Sequence, residues 1–226
     1  MGVNLICLPE CAAFMGSTRQ ETVAAAEDIF PVVGPSSKPA MFVEKFKRIL
    51  SNEVSPEQFR LESSSTYDGI EPINYVECLC LIAAKYQIWL SVGGFPEIVR
   101  SPTTNAPTGQ IYNTHLIIDP SGVVVTPLYR KLHLFDSPLA GLKESELTAA
   151  GDRSVLLDNL FGQWKLGLSI CYDLRFPLLY ESFSSKGGRL YSIITKRLLI
   201  LSYHRCYFWL ECIWDFLLIG HIWVSL

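Results

Sequence analysis

Short apolar runs that stop abruptly at a polar or charged residue limit what this chain can fold into. Val3 to Leu8, Ile88 to Val92, Gln110 to Ile118, Val123 to Tyr129 and Leu166 to Ile170 are strand-length and rich in aliphatic and β-branched residues. The Asp119-Pro120-Ser121-Gly122 segment supplies turn chemistry between two of them, which predicts a hairpin. Helical patterns fall at Ser17 to Asp28 and at Pro72 to Tyr86, and a short amphipathic one at Met41 to Leu50. Gly93-Gly94 reads as the end of the Ile88 strand. Strands joined by both helices and hairpins predict an α/β (α+β layered) domain.

Composition narrows the function classes. With 19 basic and 22 acidic side chains the net charge is −3, so the basic excess that phosphate binding needs is missing and nucleic acid is not an expected partner. Seven cysteines form an odd set without a disulfide framework, and no secretory signal pattern precedes them, so reduced thiols in the cytoplasm are expected. Four scattered histidines and unpaired cysteine spacings give no ligand set, so no metal is expected.

The composition changes character at Gly187-Gly188. Leu190 to Leu226 holds eight aromatics and three of the five tryptophans, and reads as a hydrophobic tail. Lys196, Arg197, Arg205, Glu211 and Asp215 interrupt it, and its longest uncharged stretch, Phe216 to Leu226, has 11 residues where a membrane span needs about 20. A membrane partner is therefore not expected. The serine- and proline-rich stretch at about 32–70 reads as an insertion.

Three of the apolar runs end at a reactive side chain. Glu10 follows Leu5-Ile6-Cys7-Leu8-Pro9, Lys131 follows Leu128-Tyr129-Arg130, and Cys171 follows Leu166-Gly167-Leu168-Ser169-Ile170. Taken singly, each has a plain structural reading: a carboxylate at a helix start, a solvated edge charge, a small core residue. Asp173 and Arg175 read as an ion pair at a strand-to-helix junction or as groups that orient the substrate or the Cys171 turn.

Taken together, Leu8-Pro9-Glu10, Tyr129-Arg130-Lys131-Leu132-His133-Leu134-Phe135-Asp136 and Cys171-Tyr172-Asp173-Leu174-Arg175-Phe176-Pro177 resemble the carbon-nitrogen hydrolase (nitrilase) superfamily. Leu90-Ser91-Val92-Gly93-Gly94-Phe95, Ile111-Tyr112-Asn113-Thr114-His115 and Lys143-Glu144-Ser145-Glu146 add to the likeness. Within its Nit branch, the Gly93-Gly94-Phe95 and Tyr112-Asn113-Thr114-His115 contexts resemble the deaminated glutathione amidase subgroup more than the omega-amidase subgroup.

The resemblance implies a four-layer α-β-β-α sandwich, frequent homodimers, no cofactor, and hydrolysis of a small-molecule amide through a cysteine thioester. It implies that Cys171 is the nucleophile and that Glu10 is the proton carrier. Lys131 and the Tyr172 amide would stabilise the oxyanion, and Glu144 would hold Lys131 and the substrate. A free thiol is only partly ionised at neutral pH, which is why a base is needed beside it. His133 would be a packing or hydrogen-bonding residue.

The likeness covers approximately Val3 to Lys186. Family elements expected before Val3 and after Lys186 are not apparent in the sequence, which predicts an incomplete sandwich at 1–188 and an unrelated tail at 189–226. An amidase of the Nit type and a catalytically inactive fragment or pseudoenzyme are thus both consistent with the sequence. The missing elements predict little activity for the chain alone.

Overall fold

The computed structural model describes residues 5–10, 12, 16–29, 75–101, 103–139, 141–160, 164–194 and 199–203. The elements run in the order β1 (Leu5–Cys7), α1 (Arg19–Ala24), α2 (Tyr75–Tyr86), β2 (Trp89–Arg100), β3 (Pro107–Ile118), β4 (Val124–Arg130), β5 (Asp136–Ser137) and β6 (Leu142–Lys143). They continue with α3 (Glu144–Leu147), β7 (Val155–Leu160), β8 (Trp164–Ile170), a 3-10 turn (Cys171–Arg175), α4 (Pro177–Ser185), β9 (Leu190–Ile194) and β10 (Leu199–Tyr203). Two four-stranded sheets result, ordered β1-β2-β3-β4 and β10-β9-β8-β7, with β5 and β6 forming a small separate ribbon.

Strand parity assigns each side chain to a layer, because successive residues of a strand point to opposite faces. On β3, Leu116 and Ile118 pack with Val76, Leu79, Cys80 and Ala83 of α2, whereas Ile117 faces the other way and joins Tyr129, Val155, Leu157, Leu166, Leu168 and Ile170. That second cluster fills the space between the sheets. Each fully buried aliphatic side chain in it contributes about 1.5–3 kcal/mol. On β8 the intervening Gly167 faces α4, where a Cβ would stand 2.6 Å from the Phe183 ring, so only glycine admits the helix this close. The order in space is helix α2, first sheet, second sheet, helix α4.

Three expectations are corrected. Gly93-Gly94 does not end its strand, because β2 runs on to Arg100 with a bulge between Gly93 and Phe95. The glycines answer a close approach instead: a Cβ on Gly93 would stand 2.9 Å from His115 Cβ. The Ser17 to Asp28 helix is shorter than its propensity, because Glu27 is drawn into the sheet edge; its N–H donates to Pro96 at 2.7 Å and its C=O accepts from Ile98 at 2.8 Å.

The third concerns the tail, whose beginning is not a foreign appendage. Leu190–Ile194 pairs parallel to β8, and Leu199–Tyr203 pairs antiparallel to β9. Gly187, at φ +82°, and Gly188 end α4 and let the chain re-enter the sheet, so the turn residues that the tail itself lacks stand just before it. The insertion at about 32–70, its Met41 to Leu50 helix and residues 204–226 lie outside the described residues.

The two sheets are also tied by a buried polar chain. Ser91 Oγ lies 2.8 Å from His115 Nε2 and 2.8 Å from Ser192 Oγ, and His115 Nδ1 lies 3.2 Å from the Ser169 carbonyl. Complete burial pulls the His115 pKa down from 6.5 to about 3. The unfolded chain therefore takes up a proton on this residue near pH 6.5 while the folded chain does not until about pH 3. Stability from this residue is intact above pH 6.5 and falls by about 1.4 kcal/mol per pH unit below it. Urea unfolding of the wild type and of His115→Gln across this range should diverge as pH falls, the wild type losing more; parallel curves would contradict it.

Candidate active site

Three strand ends deliver the reactive groups to one edge of the sandwich. The chain leaving β1 carries Glu10, the end of β4 carries Lys131, and β8 runs directly into Cys171. Glu10 and Lys131 are almost fully buried, at 5% and 2% exposure. Lys131 is fixed through its backbone, its N–H donating to Asn113 O at 2.9 Å and its C=O accepting from Gly151 at 2.8 Å. Just before it, Arg130 donates to the buried Glu97 carboxylate from Nε at 2.9 Å and Nη2 at 2.7 Å, while Thr114 Oγ1 donates at 2.6 Å.

The Lys131 ammonium sits between two carboxylates. It donates to Glu144 Oε2 at 2.7 Å and stands 3.8 Å from Glu10 Oε1. Glu144 reaches this position because the β5–β6 ribbon closes a tight loop. Ser145 N and Oγ donate to Asp136 at 3.0 and 2.7 Å, and the Phe135 N–H donates to Glu144 Oε2 at 2.8 Å. The short loop after Asp136 thus brings the Glu144 carboxylate onto the Lys131 ammonium.

Cys171 adopts φ +46°, a left-handed conformation that costs a non-glycine residue about 1–3 kcal/mol. Asp173, fully buried two residues on, holds that turn. It accepts from Ile170 N at 2.9 Å, Tyr129 Oη at 2.6 Å, His133 N at 3.0 Å, and lies 2.7 Å from His133 Nδ1. His133 stacks on Phe176 with ring centroids 3.5 Å apart, the packing and hydrogen-bonding place expected for it. Tyr172 meets Phe135 and Phe176 edge-on at 5.1 and 5.5 Å.

Burial sets the protonation states. It raises the Glu10 carboxyl, which the Lys131 charge draws back and the Glu144 charge pushes further up. Burial, then the charge of Glu10, lifts the Cys171 thiol to about 12, against the opposite pull of Lys131. Burial works against the Lys131 ammonium, but Glu10 and Glu144 outweigh it and hold its pKa high. At neutral pH the cluster therefore holds a protonated thiol and an ammonium. The thiol and Glu10 are close enough to perturb one another, yet no hydrogen bond of normal geometry closes on Glu10 Oε2. Such a thiol attacks a carbonyl only if its proton leaves as the C–S bond forms.

Asn113 is the member to which the sequence assigned no role. Its Nδ2 donates to Glu144 Oε1 at 3.0 Å and to Glu10 Oε1 at 3.3 Å. The signal available was a polar residue at an inward-facing position of β3, two before His115. Among the described residues, no group of three or more His, Cys, Asp and Glu side chains is arranged to hold a metal ion.

The chain is 38% identical over 186 residues to a deaminated glutathione amidase of Dictyostelium discoideum, covering 80% of this chain and 48% of that protein. It is 33% identical over 157 residues to the omega-amidase NIT3 of Saccharomyces cerevisiae, covering 68% and 49%. The chain thus spans about half the length of these curated relatives. The crystal structure of the Caenorhabditis elegans NitFhit protein superposes with a TM-score of 0.52 at 30% identity, over 85% of this chain and 35% of that one. The "Carbon-nitrogen hydrolase" family model matches residues 1–206, past the Lys186 limit expected from the motifs and across β9 and β10. With its three motifs gathered at one edge of the sandwich, and with this match over most of its length, the chain belongs to the carbon-nitrogen hydrolase family, in its Nit branch.

Proposed function

We propose that this chain carries the amide-hydrolysing centre of a Nit-branch enzyme acting on a small monoamide. The observation that carries the reading is the convergence of one buried carboxylate, one buried ammonium and one thiol at three strand ends. Glu10 takes the Cys171 proton as the sulfur bonds to the carbonyl carbon, and the Lys131 ammonium and the Tyr172 N–H receive the oxyanion. The intermediate collapses, Glu10 returns the proton to the departing nitrogen, and ammonia leaves a thioester. Glu10 then deprotonates water, which attacks the thioester; the carboxylic acid departs and Cys171 regains its proton.

The layer order of helix, sheet, sheet and helix supports a four-layer sandwich of the nitrilase type. The family resemblance supports a homodimer, and the odd cysteine set a cytoplasmic location. The Dictyostelium relative favours deaminated glutathione as substrate. The yeast relative keeps ω-amides of dicarboxylic acids as the second reading. Ammonia release by the 226-residue protein should be followed on both classes. The preferred substrate should have the higher kcat/KM, and absence of release from every amide by soluble protein would overturn the reading in favour of an inactive chain.

The same assay has a pH signature. Glu10 must be a carboxylate to accept the proton, and burial raises its pKa above 4.5. Activity is therefore lost as pH falls through a value above the ordinary glutamate range. An acid limb of kcat/KM at or below that range would remove Glu10 as the base.

A further inference from the structure

We propose that Asn113 is a positioning residue for this centre: one carboxamide NH2 group donates to both carboxylates and keeps Glu10 free for Cys171 while Glu144 stays on Lys131. The effect on turnover rests on the amidase reading, but the effect on Cys171 does not.

Two carboxylates beside one ammonium compete for it, and the structure resolves the competition asymmetrically. Glu144 is filled: Oε2 takes Lys131 at 2.7 Å and Phe135 N at 2.8 Å, and Oε1 takes Asn113. Glu10 receives Asn113 on Oε1 and only the field of Lys131 at 3.8 Å, which leaves Oε2 as an acceptor without a hydrogen-bond partner. A carboxylate cannot donate, so the amide of Asn113 must present nitrogen to both of them. Its Oδ1 is thereby turned over Gly94, where a Cβ would collide with it and would also stand 2.9 Å from Glu10 Cγ.

That arrangement carries a cost. Asn113 Oδ1 is buried without a partner, which costs about 1–3 kcal/mol. An apolar side chain would fill the position without that cost, so packing alone does not account for an amide here. The polar groups around it come from every neighbouring element: Glu10 after β1, Lys131 after β4, Glu144 from α3 and Cys171 after β8. His115, two residues along β3, is engaged with Ser91 and Ser169, and Glu97 on β2 pairs with Arg130 on β4. The Asn113 hydrogen bond lowers the Glu10 pKa against burial, so removing it leaves the carboxyl protonated to higher pH.

The test uses Asn113→Leu, which removes the donor, and Asn113→Asp, which keeps the shape and adds a third carboxyl. For the wild type and both variants, ammonia release and alkylation of Cys171 by iodoacetamide, read on the Cys171 peptide by mass spectrometry, are followed against pH. We expect kcat/KM at neutral pH to drop by about 10- to 100-fold. The acid limb of both turnover and alkylation should move upward in the order wild type, Leu, Asp. Limbs that do not move in either variant would overturn the proposal, as would loss of folding in both, which would make Asn113 a structural residue. If the wild type releases no ammonia, the amidase reading fails, and the alkylation profiles alone decide the role of Asn113.

Discussion

Cys171→Ala should bring amide hydrolysis down to the uncatalysed background, a loss of about a thousandfold or more, while the protein stays folded. The methyl group has no electrons to offer a carbonyl carbon, and among the described thiols Cys171 is the one on which the charges of Glu10 and Lys131 act. Stability should change little for two reasons. The side chain is only partly buried against the core between the sheets, and alanine bears the same left-handed backbone cost at φ +46° as cysteine does. A shift of about 1 kcal/mol would move the melting temperature by about 2–4 °C in a chain of this size. Ammonia release by the purified alanine variant at a rate near that of the wild type would remove Cys171 as the nucleophile.

Lys131→Ala should cost both turnover and stability, and the two losses should respond differently to pH. Turnover falls by about a hundredfold or more, because the developing oxyanion loses its only buried ammonium among the described residues. Stability falls by about 3–5 kcal/mol, the range for breaking a buried ion pair, since Glu10 and Glu144 are left facing one another across the vacated position. Without the ammonium the folded Glu10 pKa rises further above its unfolded value, so the variant is weakest at high pH, where Glu10 is charged. It recovers as pH falls and Glu10 protonates. Urea midpoints at pH 8 and pH 5 should show a smaller deficit at the lower pH. A deficit equal at both, with turnover intact, would leave Lys131 as a mere packing residue.

These two predictions rest on residues that were visible in the sequence. Glu10, Lys131 and Cys171 each terminate an apolar run, and a strand end is a position at which local pattern alone places a side chain at the rim of a sheet. The hairpin at Asp119 to Gly122 and the crossover from Leu166 to Ile170 into a helix were legible for the same reason. Their signals lie within a few residues of one another. Glu144 was placed by resemblance, and the tight ribbon between Asp136 and Lys143 brings it to Lys131 despite the short loop.

What sequence by itself determined, then, is the layered α/β class, the strand-length runs, the three reactive strand ends and the family. What only the tertiary structure decided depends on partners distant in the chain. Gly93-Gly94 looked like a strand end until His115 and Asn113 of the neighbouring strand were seen to occupy the space that a Cβ would need. Asp173 looked like one half of a local pair with Arg175, and it is held by Tyr129 and His133, about 40 residues away. Leu190–Ile194 looked foreign because its composition is apolar and aromatic, yet it pairs beside β8 with Tyr191 and Ser192 buried, a place that suits such a composition. Asn113 donates to a glutamate 103 positions earlier and to another 31 positions later. Hydrogen bonds and close contacts of this kind have no local period, so they become readable only when the sheets bring those positions together.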